Sequence, residues 1–96
     1  MTDDEWRALV AEFVADAIGP NEFHDRFFDG WHAQPRHGPF CPNAIEKLFF
    51  TVEAYCPDPK LSRPGNPFEA DEHELRRDAE IALQRLDAEI PQRKLT

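Results

Sequence analysis

The side chains that could act as nucleophiles, acid–base groups or metal ligands are four histidines and two cysteines, and their spacing is unfavourable for such chemistry. No two histidines stand four residues apart on one predicted helix, and the cysteines form no Cys-x-x-Cys element. A structural metal site needs several such ligands at short spacing. We therefore predict no metal and no cofactor for these residues: His24, His32, His37, His73, Cys41 and Cys56.

Two residue pairs could still support catalysis. His37 lies close to Cys41 and could activate its thiol, and His24 stands beside Asp25 as an acid–base pair would. The simpler interpretation is a loop thiol near a loop imidazole and a surface histidine beside an aspartate. We predict no catalytic residue, and we expect the protein not to be an enzyme.

The charge of the chain is strongly acidic, with 19 Asp and Glu against 11 Lys and Arg in 96 residues, a formal net charge of −8. Binding to nucleic acid or to an anionic membrane needs clustered basic residues, so both are disfavoured as direct partners. Attraction to a basic partner is favoured. The acidic N-terminus does not resemble a signal peptide, no apolar stretch could cross a bilayer, and we expect a cytoplasmic protein with reduced thiols.

The positions of nine prolines predict the secondary structure, because proline breaks a helix interior but is tolerated at its first turn. The proline-free segments 1–19, 21–34, 43–56 and 68–90 each have the length of one helix. Apolar residues recur in them at the three- and four-residue spacing of an amphipathic helix. We expect a single all-α domain over residues 1–96, a small antiparallel four-helix bundle with helices at about 3–18, 20–34, 42–56 and 71–88.

Several local features refine this prediction. Thr2 and Glu5 have the spacing of a capping box, and Asp71 with Glu74 has the same pattern before the fourth helix. Gly30 either allows close helix packing or marks an early end of the second helix. The adjacent pairs Phe27–Phe28 and Phe49–Phe50 point about 100° apart on a helix. Each pair therefore either fills a wide core or leaves one ring exposed as an interface anchor.

Three stretches together carry a family resemblance: LVAEFVADAIGPNEF at 9–23, IEKLFFTVEAYCPDPKL at 45–61 and ADEHELRRDAEIALQRL at 70–86. Their order and spacing resemble the colicin D immunity proteins and the broader group of bacterial self-protective colicin-like immunity proteins. The resemblance covers about residues 7–90, and the central stretch is its most specific part. It implies a four-helix bundle that inhibits a tRNA-cleaving nuclease toxin by masking the basic active site with acidic side chains that imitate RNA phosphates.

The resemblance also implies where the toxin would bind. The inhibitory acids of the family correspond to Glu53, Cys56 and Asp58, so one acidic position holds a cysteine here. Glu46 on the same helix is expected to adjust this surface, and Tyr55 to bury its ring while its hydroxyl stays exposed. The implied partner is the nuclease domain of a cognate bacteriocin-type toxin, bound by a monomer in a 1:1 complex. No nucleic acid and no membrane take part.

Two alternatives remain open from the sequence. One is an acidic helical regulatory or scaffold module that has no toxin partner. The other is a small enzyme that uses His24, His37 or Cys41.

Overall fold

The computed structural model describes residues 1–34, 41–55 and 72–94 of the chain. The regular elements in these ranges are four α-helices: α1 Asp3–Val14, α2 Pro20–His32, α3 Asn43–Ala54 and α4 Glu72–Lys94. The expected all-α helical bundle is confirmed. None of the helices in the described ranges is long and apolar enough to cross a membrane.

Contacts between side chains show that neighbouring helices run antiparallel. Along α1 and α4, the Arg93 guanidinium pairs with Asp3 at one end, and an Arg76 N–H donates to the Phe13 carbonyl at the other. The α1–α2 and α2–α3 pairs show the same reversal of direction. The residue pairs that define it are Trp6–Phe27 and Phe13–Phe23 for α1–α2, and Phe28–Phe49 and Asn21–Tyr55 for α2–α3.

The core is built from the apolar stripe of each helix, as the periodicity predicts. Large aromatic rings fill the space between α1 and α2, where Phe13 and Phe23 stack with ring centroids 4.4 Å apart. Aliphatic side chains of α3 and α4 complete it. The buried apolar residues of the helices are Trp6, Leu9, Val10, Phe13, Phe23, Phe27, Ala44, Ile45, Leu48, Val52, Leu75, Ala79, Ala82, Leu86 and Ile90.

The first helix begins as expected but ends earlier than predicted. The capping box is present, because Thr2 accepts from the Glu5 N–H and the Glu5 carboxylate accepts from the Thr2 N–H. The expected end at residue 18 is wrong, since α1 ends at Val14. Asp16 takes a left-handed conformation with φ 64°, and the N–H groups of Asp16 and Ala17 bond to the carbonyls of Phe13 and Glu12. This Schellman motif closes the helix at a residue other than glycine.

The second helix also differs from its expected bounds at one end. It begins at Pro20 as predicted, but it ends at His32 rather than at 34. The Ala33 N–H bonds back to the Asp29 carbonyl, and Gln34 turns away so that its own N–H bonds to the Trp31 carbonyl. The chain therefore leaves the helix just before the proline-rich segment.

Gly30 lies inside α2 and is buried. A Cβ at this position would lie 3.1 Å from the Trp6 ring and 2.9 Å from the Met1 sulfur. Of the two interpretations of this glycine, close packing is therefore the correct one, because Trp6 of α1 occupies the space that a side chain would need.

The bounds of α3 and α4 correct two further expectations. Pro42 is the N-cap of α3 rather than its first residue, and α3 ends at Ala54 rather than at 56. α4 begins at Glu72, and the proposed cap residue Asp71 lies outside the described residues. The expected end of α4 at 88 is wrong, because the helix continues through Pro91 to Lys94.

The last turn of α4 persists despite Pro91 because it is fixed to the start of α1. A proline removes one backbone hydrogen bond of the helix. Arg93 compensates by pairing with Asp3 at 2.7 Å, and Lys94 lies 3.4 Å from Asp4. Ile90, one residue before the proline, is buried in the core. The charge-assisted pairs and the buried side chain together hold this turn in place.

Candidate functional site

The candidate site is the outward face of α3. Ile45, Leu48 and Val52 are buried against the rest of the bundle. Because a helix turns by about 100° per residue, the opposite side of α3 presents Glu46, Phe50 and Glu53 along one line. Glu46 and Glu53 are exposed, and the Phe50 side chain is 71% exposed. The two acids that the sequence singled out on α3 thus lie on one face, one turn on either side of an exposed phenylalanine.

α4 holds α3 in a fixed position. Pro42 has no side-chain group to cap the helix, and the Glu89 carboxylate of α4 takes over by accepting from the N–H groups of Asn43 at 2.6 Å and Ala44 at 3.0 Å. Negative charge at this end is also favourable to the helix dipole. Further along, the Thr51 hydroxyl donates to the Asp78 carboxylate at 2.6 Å. The face therefore lies on a helix that is anchored at both ends to its longest neighbour.

The carboxylates of Glu46 and Glu53 have no ion-pair or hydrogen-bond partner among the residues that the structure describes. Other acids of the bundle are engaged: Glu12 and Glu22 lie near Arg26, and Glu72 pairs with Arg76 one turn along α4. A carboxylate that already neutralises a neighbouring cation has less to offer a partner. Glu46 and Glu53 remain available to a ligand.

Tyr55 ends α3 and is half-buried. Its hydroxyl donates to the Asn21 side-chain carbonyl of α2 at 3.3 Å, and its ring lies 6.3 Å from the His24 ring. The partial burial that we expected is observed, and the hydroxyl is engaged with α2. The structure thus brings Glu46, Glu53 and Tyr55 together along one helix. The other two predicted site residues, Cys56 and Asp58, lie outside the described residues.

Phe28 and Phe49 join this face to α2, although the sequence left open which ring of each phenylalanine pair is covered. The Phe49 ring stacks on Trp31 with centroids 4.2 Å apart and meets Phe28 edge to face at 5.8 Å. On α2, His24 and His32 lie one turn to either side of Phe28, with ring centroids 4.8 and 6.0 Å from it. The adjacent phenylalanine pairs were the available signal, but only the position of α2 shows that Phe49 is covered while Phe50 is exposed.

The groups considered for catalysis show little of the geometry that it requires. Burial in the core, reinforced by the nearby Glu46 carboxylate, raises the pKa of the Cys41 thiol to about 11, so the thiol is protonated at neutral pH and is a poor nucleophile. His24 lies 3.3 Å from the exposed Asp25 carboxylate. His37 lies outside the described residues. No group of three or more metal-ligating side chains occurs within the described ranges.

A helical scaffold that presents exposed acids beside an exposed aromatic ring is typical of a small acidic protein-binding module. Comparison with known families identifies it further: the family model of bacterial self-protective colicin-like immunity matches residues 1–86. The chain belongs to this family, and it is thus an immunity protein that inhibits a colicin-type toxin. Comparison with the curated proteins gives no match.

Proposed function

We propose that the protein protects its producer by binding the nuclease domain of a colicin D-like toxin that cleaves tRNA, and that its acidic side chains mask the basic active site of that domain. The observation that carries this proposal is the exposed pair of Glu46 and Glu53, which have no partner within the described ranges and lie on a firmly anchored helix. Membership in the immunity family supplies the class of partner.

The physical basis is charge mimicry. A nuclease that grips an RNA backbone must present lysine and arginine side chains to the phosphates. Carboxylates placed in the same cleft form charge-assisted hydrogen bonds with those cations. The inhibitor needs no catalytic group, because occupying the cleft is sufficient to exclude the substrate.

The proposed contact residues are Glu53 and Asp58, with Glu46, Tyr55 and Cys56 around them. Glu53 stands at the end of α3, and Asp58 follows it closely in the chain. Cys56 stands where the colicin D inhibitor has an acid, so this protein would offer its toxin one carboxylate fewer. The cognate toxin would therefore differ from colicin D in its basic cleft. The complex would be 1:1, since one face of one monomer supplies the contacts.

Co-expression tests this function. A candidate nuclease toxin domain is expressed in a sensitive host with and without the protein, and tRNA cleavage is followed on gels. We expect growth and intact tRNA only when the protein is present. Rescue of growth with tRNA still cleaved would contradict the proposed mechanism, and a failure to rescue would favour a helical scaffold without a toxin partner.

A further inference from the structure

A surface that spans α2 and α3 extends beyond the predicted acids, and we call it the aromatic–acidic face. It consists of rings from both helices and of acids beside them. Its members are His24, Asp25, Phe28, Asp29 and His32 of α2 and Glu46, Phe49, Phe50 and Glu53 of α3.

Phe50 is the most exposed large apolar side chain of the described residues, with 71% of it accessible. It lies at the centre of the acids of α3, and its ring meets Phe49 edge to face at 5.9 Å. Phe49 is itself fixed between Trp31 and Phe28. The exposed ring therefore projects from a rigid aromatic base, and holding such a ring in place costs little conformational entropy when a partner binds.

The acids lie on the same side of α3 as this aromatic base. With about 100° per residue, Glu46 and Glu53 point between the directions of Phe49 and Phe50, towards α2. Asp29 of α2 is exposed and has no ion-pair partner in the described part of the chain, whereas Asp25 lies only against His24. The nearest basic residue on α3, Lys47, points to the other side of Phe50, over the groove between α3 and α4.

The charges on this face determine which kind of partner can bind to it. A second copy of the chain would bring the same acids together, and RNA would add phosphates to them, so both are repelled. A basic protein surface is attracted. Arginine suits it best, because a guanidinium can pair with a carboxylate and also pack on an aromatic ring.

We infer that Phe50 is the apolar anchor of the toxin interface, inserted into an apolar pocket that arginine or lysine side chains surround, and that the interface extends across α3 to Phe28 and Asp29 of α2. This inference rests on the proposed function. It adds that the acids alone do not make the interface: they attract and orient the toxin, and burial of Phe50 slows its release.

The test compares Phe50→Ala with Ile81→Ala, which removes another exposed apolar side chain, 38% accessible, from α4. Dissociation of each variant from the toxin domain identified by co-expression is measured by surface plasmon resonance. We expect Phe50→Ala to bind about 30-fold or more weakly, mainly through faster dissociation, as for a central aromatic anchor. Ile81→Ala should bind like the wild type, and thermal melting should confirm that both variants are folded.

A third variant tests the extension onto α2. Asp29→Lys should slow association, whereas Glu80→Lys on the exposed side of α4 should have a much smaller effect. Tight binding by Phe50→Ala would contradict the role of Phe50 as the anchor while leaving the proposed function intact. No binding by the wild type would contradict both the anchor and the proposed function. A dimer of the free protein that Phe50→Ala dissociates would show that a second copy, rather than the toxin, covers this face.

Discussion

At the scale of single residues, the acidic side chains of the bundle divide into two groups. Asp3, Asp4, Glu12 and Asp87 lie in ion pairs that connect α1 to other helices. The Asp3–Arg93 pair is partly buried, whereas the other three are exposed and contribute little stability each. Together they engage Arg7, Arg26, Arg93 and Lys94. Glu46 and Glu53 belong to the other group, whose members have no ion-pair partner within residues 1–34, 41–55 and 72–94. The part of the negative charge that is available to a partner is therefore much smaller than the composition suggests.

Cys41 gives a prediction at the same scale. The pKa of its thiol is raised from 9.0 to about 11 in the folded protein, chiefly by burial. Between these values the unfolded chain loses the thiol proton while the folded protein keeps it, so rising pH favours unfolding. Across this range the free energy of unfolding of the wild type should fall by about 2 kcal/mol more than that of Cys41→Ala. Urea unfolding of both proteins at a series of pH values measures the difference.

The comparison with Cys41→Ala is essential because lysine and tyrosine side chains titrate in the same range. Those groups are common to both proteins, so their contribution cancels in the difference. If the stability of the two proteins depends on pH in the same way, burial of the Cys41 thiol is not the cause of the loss of stability at alkaline pH.

At the scale of the elements, the number and order of the helices follow from the sequence, because proline-free segments with apolar stripes have few other ways to bury their surface. The ends of the helices do not follow so simply. Asp16 ends α1 in a conformation that is most common for glycine, and Pro91 is retained within α4 because Arg93 and Asp3 meet across the bundle. Such contacts join residues that are far apart in the chain.

For the candidate site, the sequence predicts the acids but not the aromatic rings beside them. The resemblance to immunity proteins predicts an acidic site at the end of α3. Glu53 is exposed at that end, whereas Glu46 is exposed in the first turn of the same helix. The aromatic part of the face was not predictable. Which of Phe49 and Phe50 is covered depends on where Trp31 and Phe28 of α2 lie, and this is a property of the packed bundle.

Glu89 provides a prediction for the elements. Its carboxylate caps the first turn of α3 through two backbone N–H groups, and no residue preceding α3 replaces it in the described part of the chain. Glu89→Ala should therefore lower the free energy of unfolding by about 1–2 kcal/mol. Glu80→Ala, which removes an exposed acid from the same helix, serves as the control. Denaturant unfolding followed by circular dichroism measures both, and equal stability of the two variants would show that the cap contributes nothing.

At the scale of the whole molecule, the net charge of −8 creates a long-range negative field around the protein. Few of these charges are needed to stabilise the fold. A field of this sign accelerates the encounter with a basic toxin and repels RNA. Under the proposed function, such a field would help the protein to capture a newly made toxin before the toxin reaches its RNA substrate.

This field predicts how association depends on salt. Raising the salt concentration from about 50 mM to about 500 mM should slow association with the toxin domain by ~10-fold or more, because screening shortens the range of the attraction. Dissociation should change much less, since it depends on close contacts. Stopped-flow fluorescence measures both rates, and an association rate that does not vary with salt would indicate an encounter without electrostatic steering.

The most direct test of the central claim is the affinity of the toxin domain for the double variant Glu53→Lys with Asp58→Lys. The matched control is Glu80→Lys together with Glu74→Lys, which changes the net charge equally on α4. Isothermal titration calorimetry measures both affinities, and thermal melting confirms folding. We expect the Glu53 and Asp58 double variant to lose binding, whereas the α4 control should retain most of it. Wild-type affinity of the Glu53 and Asp58 variant would show that these acids do not bind the toxin.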